Sequence, residues 1–366
     1  MNRRQVLIGG GVIVGAAVVG VGAEVVGMGG ISEYDAAAAS ARVAVPANAG
    51  VNDLVRLATL AANSHNTQPW QFLPGDRRID IRPDVSRRLS AVDPDDHHLF
   101  CSLGCAAENL AIAAAATGHK GEARFEPAGV SSVVFEYADG APVASPLFPA
   151  ILTGQSTRAE YDGRAVSAND LATLAAAATV AGVEAILITD RKRIGEIGDL
   201  TVAGNDAQMA DAAFLRELKS WLRFNPRQAL ATADGLFSAT NGNPSLPTWL
   251  GPRMFDLIAT PASESRKYAA QVRSSAGIAV FVSEGNDKMH WVQAGRAAQR
   301  FALQATALGL KHAFVNQTAE VPAVRAQLAT YLGVGDRRPD LIMRFGYGPD
   351  MPKSLRRPVE QVLVSA

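Results

Sequence analysis

Two stretches decide the fold, "GCAAENLAIAAAATGHK" at Gly104–Lys120 and "GRAAQRFALQATALGLK" at Gly295–Lys311. Gly104/Gly295, Gly118/Gly309 and Lys120/Lys311 match, with five alanine matches between them. Alanines match cheaply, so the glycines and the lysine carry the weight. Each stretch reads as a helix, and its trailing Gly has the place of a C′ residue. A second pair lies upstream of each, "NDLVRLATLA" from Asn52 and "NDLATLAAAA" from Asn169, identical at six of ten positions. Both predict a helix capped by Asn or Asp before an apolar stripe. Repeats in the same order on both sides of the chain indicate an internal duplication.

The halves differ in length. Asp53 to Gly104 is 51 residues and Asp170 to Gly295 is 125, so the second half holds roughly 74 more, placed between Thr189 and Ala276. Part of this insertion is helical, as in "DAAFLRELKSWLRF". The rest, Asn225 to Pro261, is rich in Pro, Gly and Asn. A long irregular segment inside a compact protein is commonly functional, so a lid is expected, with a surface decoration as the plainer reading. Strands are expected at "SVVFEY", "VEAILIT", "GIAVFVS" and "DLIMRFGY", between long helices. That alternation predicts an α+β fold with helices covering a mixed sheet.

Composition narrows the function. The 366 residues suit one large core or two halves. Lys plus Arg equals Asp plus Glu at 35 each, and no basic stripe appears, so nucleic acid is not an expected partner. Cys101 and Cys105 lie four apart without further ligands at zinc spacing, and are expected as two buried thiols rather than a disulfide. His97 and His98, in "DPDDHHLF", read as a helix N-terminus; crowding at i, i+1 argues against a metal, and none is expected. No G-x-S-x-G, H-E-x-x-H or P-loop is present, which favours chemistry carried by a cofactor. At the N-terminus, Arg3 and Arg4 precede an uncharged run from Val6 to Ala23. This resembles a twin-arginine (Tat) export signal, with Val6 where Phe is usual; the alternative is an uncleaved membrane anchor.

Between the first repeat helix and the first strand lies "NSHNTQPWQF", Asn63–Phe72, dense in amides and hydroxyls. Pro69 stops a helix and favours an extended Gln68, and Trp70 is expected to pack in the core. By itself the stretch also reads as an amide-stitched loop. It resembles the S-x-N-x-Q-P-W segment of FMN-dependent nitroreductases. "QSTRAEYDGRAV" resembles that family's R-x-S-x-R-x-[FY] opening through Ser156, Arg158 and Tyr161, with Gly154 where the first Arg belongs. The tail "RFGYGPDMPKSLRRPVEQVLV" resembles the family's basic C-terminal end. The signal, duplication and insertion look most like the Acg-type branch.

The resemblance implies a three-layer α-β-α sandwich of two fused half-like units, the counterpart of a nitroreductase dimer in one monomeric chain. The units are 1–45 (signal or anchor with linker), 46–150, and 151–366 with a lid insertion near 199–275. It also implies one composite FMN site. Ser64, Asn66 and Gln68 come from the first unit, with Ser156, Arg158, Asn316, Arg356 and Arg357 from the second. Amides match the polar edge of a flavin, and Arg forks match phosphate. The second half reads "VAGVEAI" where "SHNTQPW" should recur. The implied activity is reduction of a nitro-aromatic or quinone, with NAD(P)H as electron donor. The alternative is a flavin-binding or flavin-sequestering protein with little turnover.

Overall fold

A computed structural model describes residues 27–46 and 49–365. The arginine pair and the uncharged run behind it lie outside the described residues.

The duplication is visible in the topology. The first half runs α1 (Ile31–Ser40), α2 (Val51–Thr59), β1 (Trp70–Gly75), β2 (Arg78–Pro83), α3 (His97–Ala116), β3 (His119–Glu126) and β4 (Ser132–Asp139). After α4 (Leu147–Thr153) the second half repeats the pattern with α5 (Ala168–Ala177) and β5 (Val183–Ile188). The insertion then supplies α6 (Arg191–Ala210), α7 (Ala212–Trp221), β6 (Leu222–Arg223), α8 (Pro226–Thr232), β7 (Leu236–Phe237), α9 (Gly251–Ile258) and α10 (Pro261–Arg273). The repeat resumes with β8 (Gly277–Ser283), α11 (Lys288–Ala307) and β9 (Lys311–Phe314). It ends with α12 (Gln317–Glu320), α13 (Pro322–Leu332) and β10 (Pro339–Gly346). The two main sheets have orders β1-β2-β4-β3 and β5-β8-β10-β9, antiparallel throughout. Strand for strand these orders are the same. What is a tight β1–β2 turn at residues 76–77 in the first half is the excursion 189–276 in the second.

The matched glycines mark where the halves meet. A Cβ on Gly104 would stand 2.0 Å from the Val292 carbonyl oxygen, and one on Gly295 would stand 1.9 Å from that of Cys101. Each glycine faces the carbonyl three residues before its counterpart, so α3 and α11 cross about a local two-fold. Only glycine admits backbone this close. The trailing glycines are C′ residues as the sequence indicates, with φ of +89° at Gly118 and +74° at Gly309. Helix α3 is long and apolar enough to cross a membrane, but most of it is buried as half of this central pair.

Helix starts differ from the expectation. The caps of α2 and α5 are Gly50 and Ser167, not the Asn-Asp pairs. Asp53 and Asp170 lie in the first turn, where the helix dipole favours a carboxylate. Ser167 Oγ accepts from the Asp170 amide.

The core sits between the sheets. On β2, Ile79 and Ile81 face it, while Arg78 and Glu136 pair on the outer, wet face of that sheet. The other sheet is covered on both faces, which gives the helix–sheet–helix layering. Ala279, Phe281 and Met343 meet the central helices. Ile278, Val280 and Ile342 meet Ile194 and Ile197 of α6, Val272 of α10 and Leu328 of α13. That two-sided burial explains why "GIAVFVS" is an unbroken apolar run. The ends of the insertion are thus core cover, and only its middle is free to roof a site. The chain end crosses back: Phe72 N donates to Val362 O (2.7 Å) and Val364 N to Phe72 O (2.9 Å), adding a strand to the edge of the first sheet.

Candidate functional site

The amide stretch is a strained, clamped turn. His65, Asn66 and Gln68 have φ of 46°, 52° and 53°. Left-handed backbone at non-glycine residues costs on the order of 1–3 kcal/mol each and persists only where surroundings over-determine it. Here they do. Asn63 Oδ1 accepts from Gln68 N (2.8 Å), Asn66 Nδ2 donates to the carbonyls of Gly235 and Leu355, and Gln68 Nε2 donates to that of Ala233 (2.8 Å). Ala233 and Gly235 belong to the insertion, so the insertion grips this turn. Trp70 is fully buried in the core, as expected.

The tail arginines grip the same turn. Arg356 donates through Nη1 to Asn66 Oδ1 (3.0 Å) and through Nε and Nη2 to the carbonyls of Thr59, Leu60 and Ala61. These carbonyls end α2, where a cation is favoured. Burial, then the charge of Arg42, pulls the Arg356 guanidinium down to about 9. Arg357 N donates to Gln68 Oε1 (2.8 Å), and its guanidinium lies near Asp84.

The segment 156–161 lies on the edge of the second sheet. Thr157 N donates to His312 O (2.8 Å), and Arg344, fully buried on β10, donates to the carbonyls of Thr157 and Ala159 at 2.9 and 2.8 Å. This pins the backbone on both sides of Arg158. The Arg158 side chain itself has no hydrogen bond or ion pair among the described residues. Burial holds it below its ordinary value, partly offset by Tyr268, which burial in turn pushes up to about 12.

Two adjoining cavities meet at Arg158. The larger, about 210 Å³, is lined by Asn63, Ser64, His65, Ser156, Arg158 and Asn316, with Leu236, Asn241 and Phe255 of the insertion as roof. The smaller, about 70 Å³, is lined by Arg42, Arg158 and Arg356, with Asn66, Gln155 and Ser156, and no carboxylate lines it among the described residues. Of the residues named from sequence, Ser64 and Asn316 face the larger space, Asn66 and Arg356 the smaller, and Ser156 and Arg158 both. Gln68 and Arg357 line neither and hold each other behind the turn. The His65 Nδ1 is buried without a partner among the described residues, and burial, then the charge of Arg158, pulls the ring down to about 4.

Sequence reading missed Arg42. Its Nη1 and Nη2 donate to the carbonyls of Ala38 (2.7 Å) and Ser354 (3.0 Å), while its Nε is buried and unpartnered among the described residues. The available signal was Ser40-Ala41-Arg42, ten residues before Asn52, echoing Ser156-Thr157-Arg158 eleven before Asn169. The two cysteines are free and buried. His97 does begin α3, and both carboxylate oxygens of Asp93 accept from its first amides, those of His98 and Leu99. Asp93, His97 and His98 bring their polar atoms within 4.8 Å of one another.

Duplicated half-sheets around crossed helices, with a cationic cleft between the halves, define a duplicated α+β protein similar in sequence to proteins named as nitroreductases. The sequence comparisons agree. The chain is 28% identical over 330 residues to "Putative NAD(P)H nitroreductase Rv3131" of Mycobacterium tuberculosis, covering 86% of this chain and 90% of that protein. It is 25% identical over 327 residues to "Putative NAD(P)H nitroreductase acg" of the same species, covering 85% and 94%. No family model matches. Among solved structures it aligns with the FMN-dependent nitroreductase NfnB of Mycobacterium smegmatis in complex with NADPH, at 13% identity and a TM-score of 0.37, over 56% of this chain and 88% of that one. It also aligns with a BluB-like flavoprotein of Clostridium difficile, at 15% identity and a TM-score of 0.39, over 60% and 98%.

Proposed function

We propose that this chain holds one FMN in the joined cavities and uses NAD(P)H to reduce a small nitro-aromatic or quinone. The observation that carries this is the smaller cavity, where three guanidiniums converge with no carboxylate among the lining residues. Buried cations without an anion are costly, and a phosphate supplies the missing charge. Arg158, Arg42 and Ser156 would hold that group. The orphaned His65 Nδ1, with Ser64, Asn63 and Asn316, offers polar partners to a ring edge in the larger cavity. Bound flavin would supply the hydride chemistry, which none of these side chains provides. Asn66, Gln68, Arg356 and Arg357 shape the turn and its backing.

One observation favours the flavin-holding alternative. The cavities, about 210 and 70 Å³, fall short of the roughly 300–1,000 Å³ of drug-sized sites, so the insertion must shift to admit flavin and a second substrate. A single experiment separates the readings. Purified chain is titrated with FMN by fluorescence quenching, then given NADH or NADPH with a soluble quinone. Saturable binding followed by NAD(P)H oxidation supports the reductase. Binding without oxidation selects the holding protein, and failure to bind at about 100 µM FMN, a concentration a roughly −5.5 kcal/mol interaction would half-fill, rejects both.

A further inference from the structure

Two titratable side chains, His98 and Glu320, form a wall between the larger cavity and a separate outer pocket of about 250 Å³, and both line each space. The outer pocket is also bordered by Asp93, Asp95, Arg325 and Arg338 and reaches solvent beside Asp95, whose side chain is 44% exposed.

Hydrogen positions behind this wall are dictated by geometry. Ser283 N donates to Asp340 Oδ2 (2.8 Å), and Asp340 Oδ1 lies 2.9 Å from His97 Nε2. His97 Nδ1 lies 2.9 Å from His98 Nδ1. Above about pH 6, to which burial pushes Asp340, its carboxylate takes a hydrogen from His97 Nε2. His97 Nδ1 then offers a lone pair, and a nitrogen pair at this distance needs one hydrogen between them. That hydrogen sits on His98 Nδ1. Any further proton His98 gains or loses is therefore on Nε2, which is buried, has no hydrogen-bond partner among the described residues and lies 3.7 Å from Glu320 Oε1. The other Glu320 oxygen accepts from Gln208 Nε2, on the cavity wall.

We propose that His98 and Glu320 form a proton relay that feeds the larger cavity from the outer pocket. The proposal rests on the reductase reading. Reducing a quinone to a hydroquinone takes one hydride and one proton. The hydride, two electrons with one hydrogen, originates in NAD(P)H; the proton does not. Reduction of a nitro group to a nitroso group takes the same sum and releases water. In each turnover, a small swing of the His98 ring brings Nε2 out of the wall to water in the outer pocket, where it takes up a proton. The proton passes to Glu320, and the carboxyl gives it to the acceptor oxygen in the cavity. The groups facing His98 among the described residues are Asp93, 3.6 Å from Nδ1, with Glu320 and His97, and, farther off, His65, Asp340 and Arg338. Burial disfavours its charged form, but Asp93 and then Glu320 outweigh burial and Arg338, and hold His98 above its ordinary value. Burial raises Glu320 too, against the charge of His98. An acid and a base drawn towards each other in this way exchange a proton readily.

Glu320→Gln keeps the size and the Gln208 contact but cannot carry a proton. In the flavin-loaded protein, quinone reduction should fall by about tenfold or more in kcat, the size of a modest general-acid contribution, with flavin content unchanged. Ferricyanide, which takes electrons without a proton, should lose less than about twofold over the same comparison. Equal losses with both acceptors, or none with quinone, overturn the relay. A second measurement needs no flavin: histidine NMR should show the His98 midpoint dropping by about one unit in the variant, and an unmoved midpoint overturns the pairing. If the wild-type chain turns over neither acceptor, the reductase reading falls and the relay's role with it, whereas a working wild type with an indifferent variant removes the relay alone.

Discussion

Arg158 carries the site at the scale of single residues. It faces both cavities, its backbone is pinned by Arg344 and His312, and its guanidinium has no protein acceptor among the described residues. Arg158→Ala should weaken FMN binding by roughly ten- to a hundredfold, the worth of one charged hydrogen bond at about 1.5–3 kcal/mol, as read by fluorescence titration. A variant binding at wild-type affinity would move the phosphate elsewhere. The buried histidines set the acid limit. His65 and His312 are both pulled down to about 4, first by burial. Their folded values lie below the unfolded one, so the unfolded chain binds more protons between about pH 6.5 and 4. The stability these two rings contribute is therefore full above about 6.5 and is lost as pH falls towards 4. His312→Gln should flatten the decline of the thermal midpoint across that window. A slope identical to wild type would show that His312 is not held neutral. At this scale the sequence was partly legible. Ser64, Ser156, Arg158 and Asn316 reach the cavity because their motifs are local. The neighbours of Arg356, Arg357 and Gln68 were not legible, because their partners, many of them backbone groups, are brought near only by the fold. Arg42 was hidden because its echo of Arg158 survives as two residues in three.

At the scale of elements, the α3–α11 crossing depends on two missing side chains. Gly104→Ala would place a methyl 2.0 Å from the Val292 carbonyl oxygen, with backbone and not a flexible side chain in the way. The helices must part, and the loss should be about 3 kcal/mol or more, at the upper end for overpacked cores, measured by chemical denaturation. A neutral variant would mean the halves do not meet there. The repeat was readable in advance, with Gly104 and Gly295 as matched ends, but the crossing was not, because it depends on helix packing. Strands β3 and β9 were harder: β3 alternates polar and half-buried residues on a sheet edge, and β9 is four residues long. The insertion was readable as extra length, but not as a division of labour. Its outer helices α6 and α10 seal the second sheet, and its middle supplies Leu236, Asn241 and Phe255 to the roof. Replacing residues 242–258 by a short Gly-Ser linker should leave the thermal midpoint within a few degrees, as expected where few buried contacts are lost. It should also raise iodide quenching of bound flavin. Global unfolding would assign the roof to the core; unchanged quenching would deny it the role of cover.

The whole molecule has two halves but the means for one site. Any second site must set the counterpart of the amide turn against the counterpart of Arg158. The first requirement fails between α5 and β5, where the chain closes in a short turn through Val180 and Val183 and offers no amide side chain. The second fails for a different reason. The counterpart of Arg158 is Arg42, and Arg42 lines the same small cavity as Arg158 and Arg356. The cation that a second phosphate would need thus already lines the first cavity, and two of its nitrogens are bound to Ala38 and Ser354. Among the described residues, the two half-patterns share one amide turn, in a cleft with cations from both halves. We therefore expect one FMN per chain, bound by the monomer without a partner subunit. Arg42→Ala and Arg158→Ala should weaken the same binding isotherm, each by about tenfold or more. Calorimetric titration joined to sedimentation equilibrium measures this directly. Two flavins per chain, binding only by a dimer, or an Arg42→Ala isotherm superimposable on wild type would each contradict the single composite cleft.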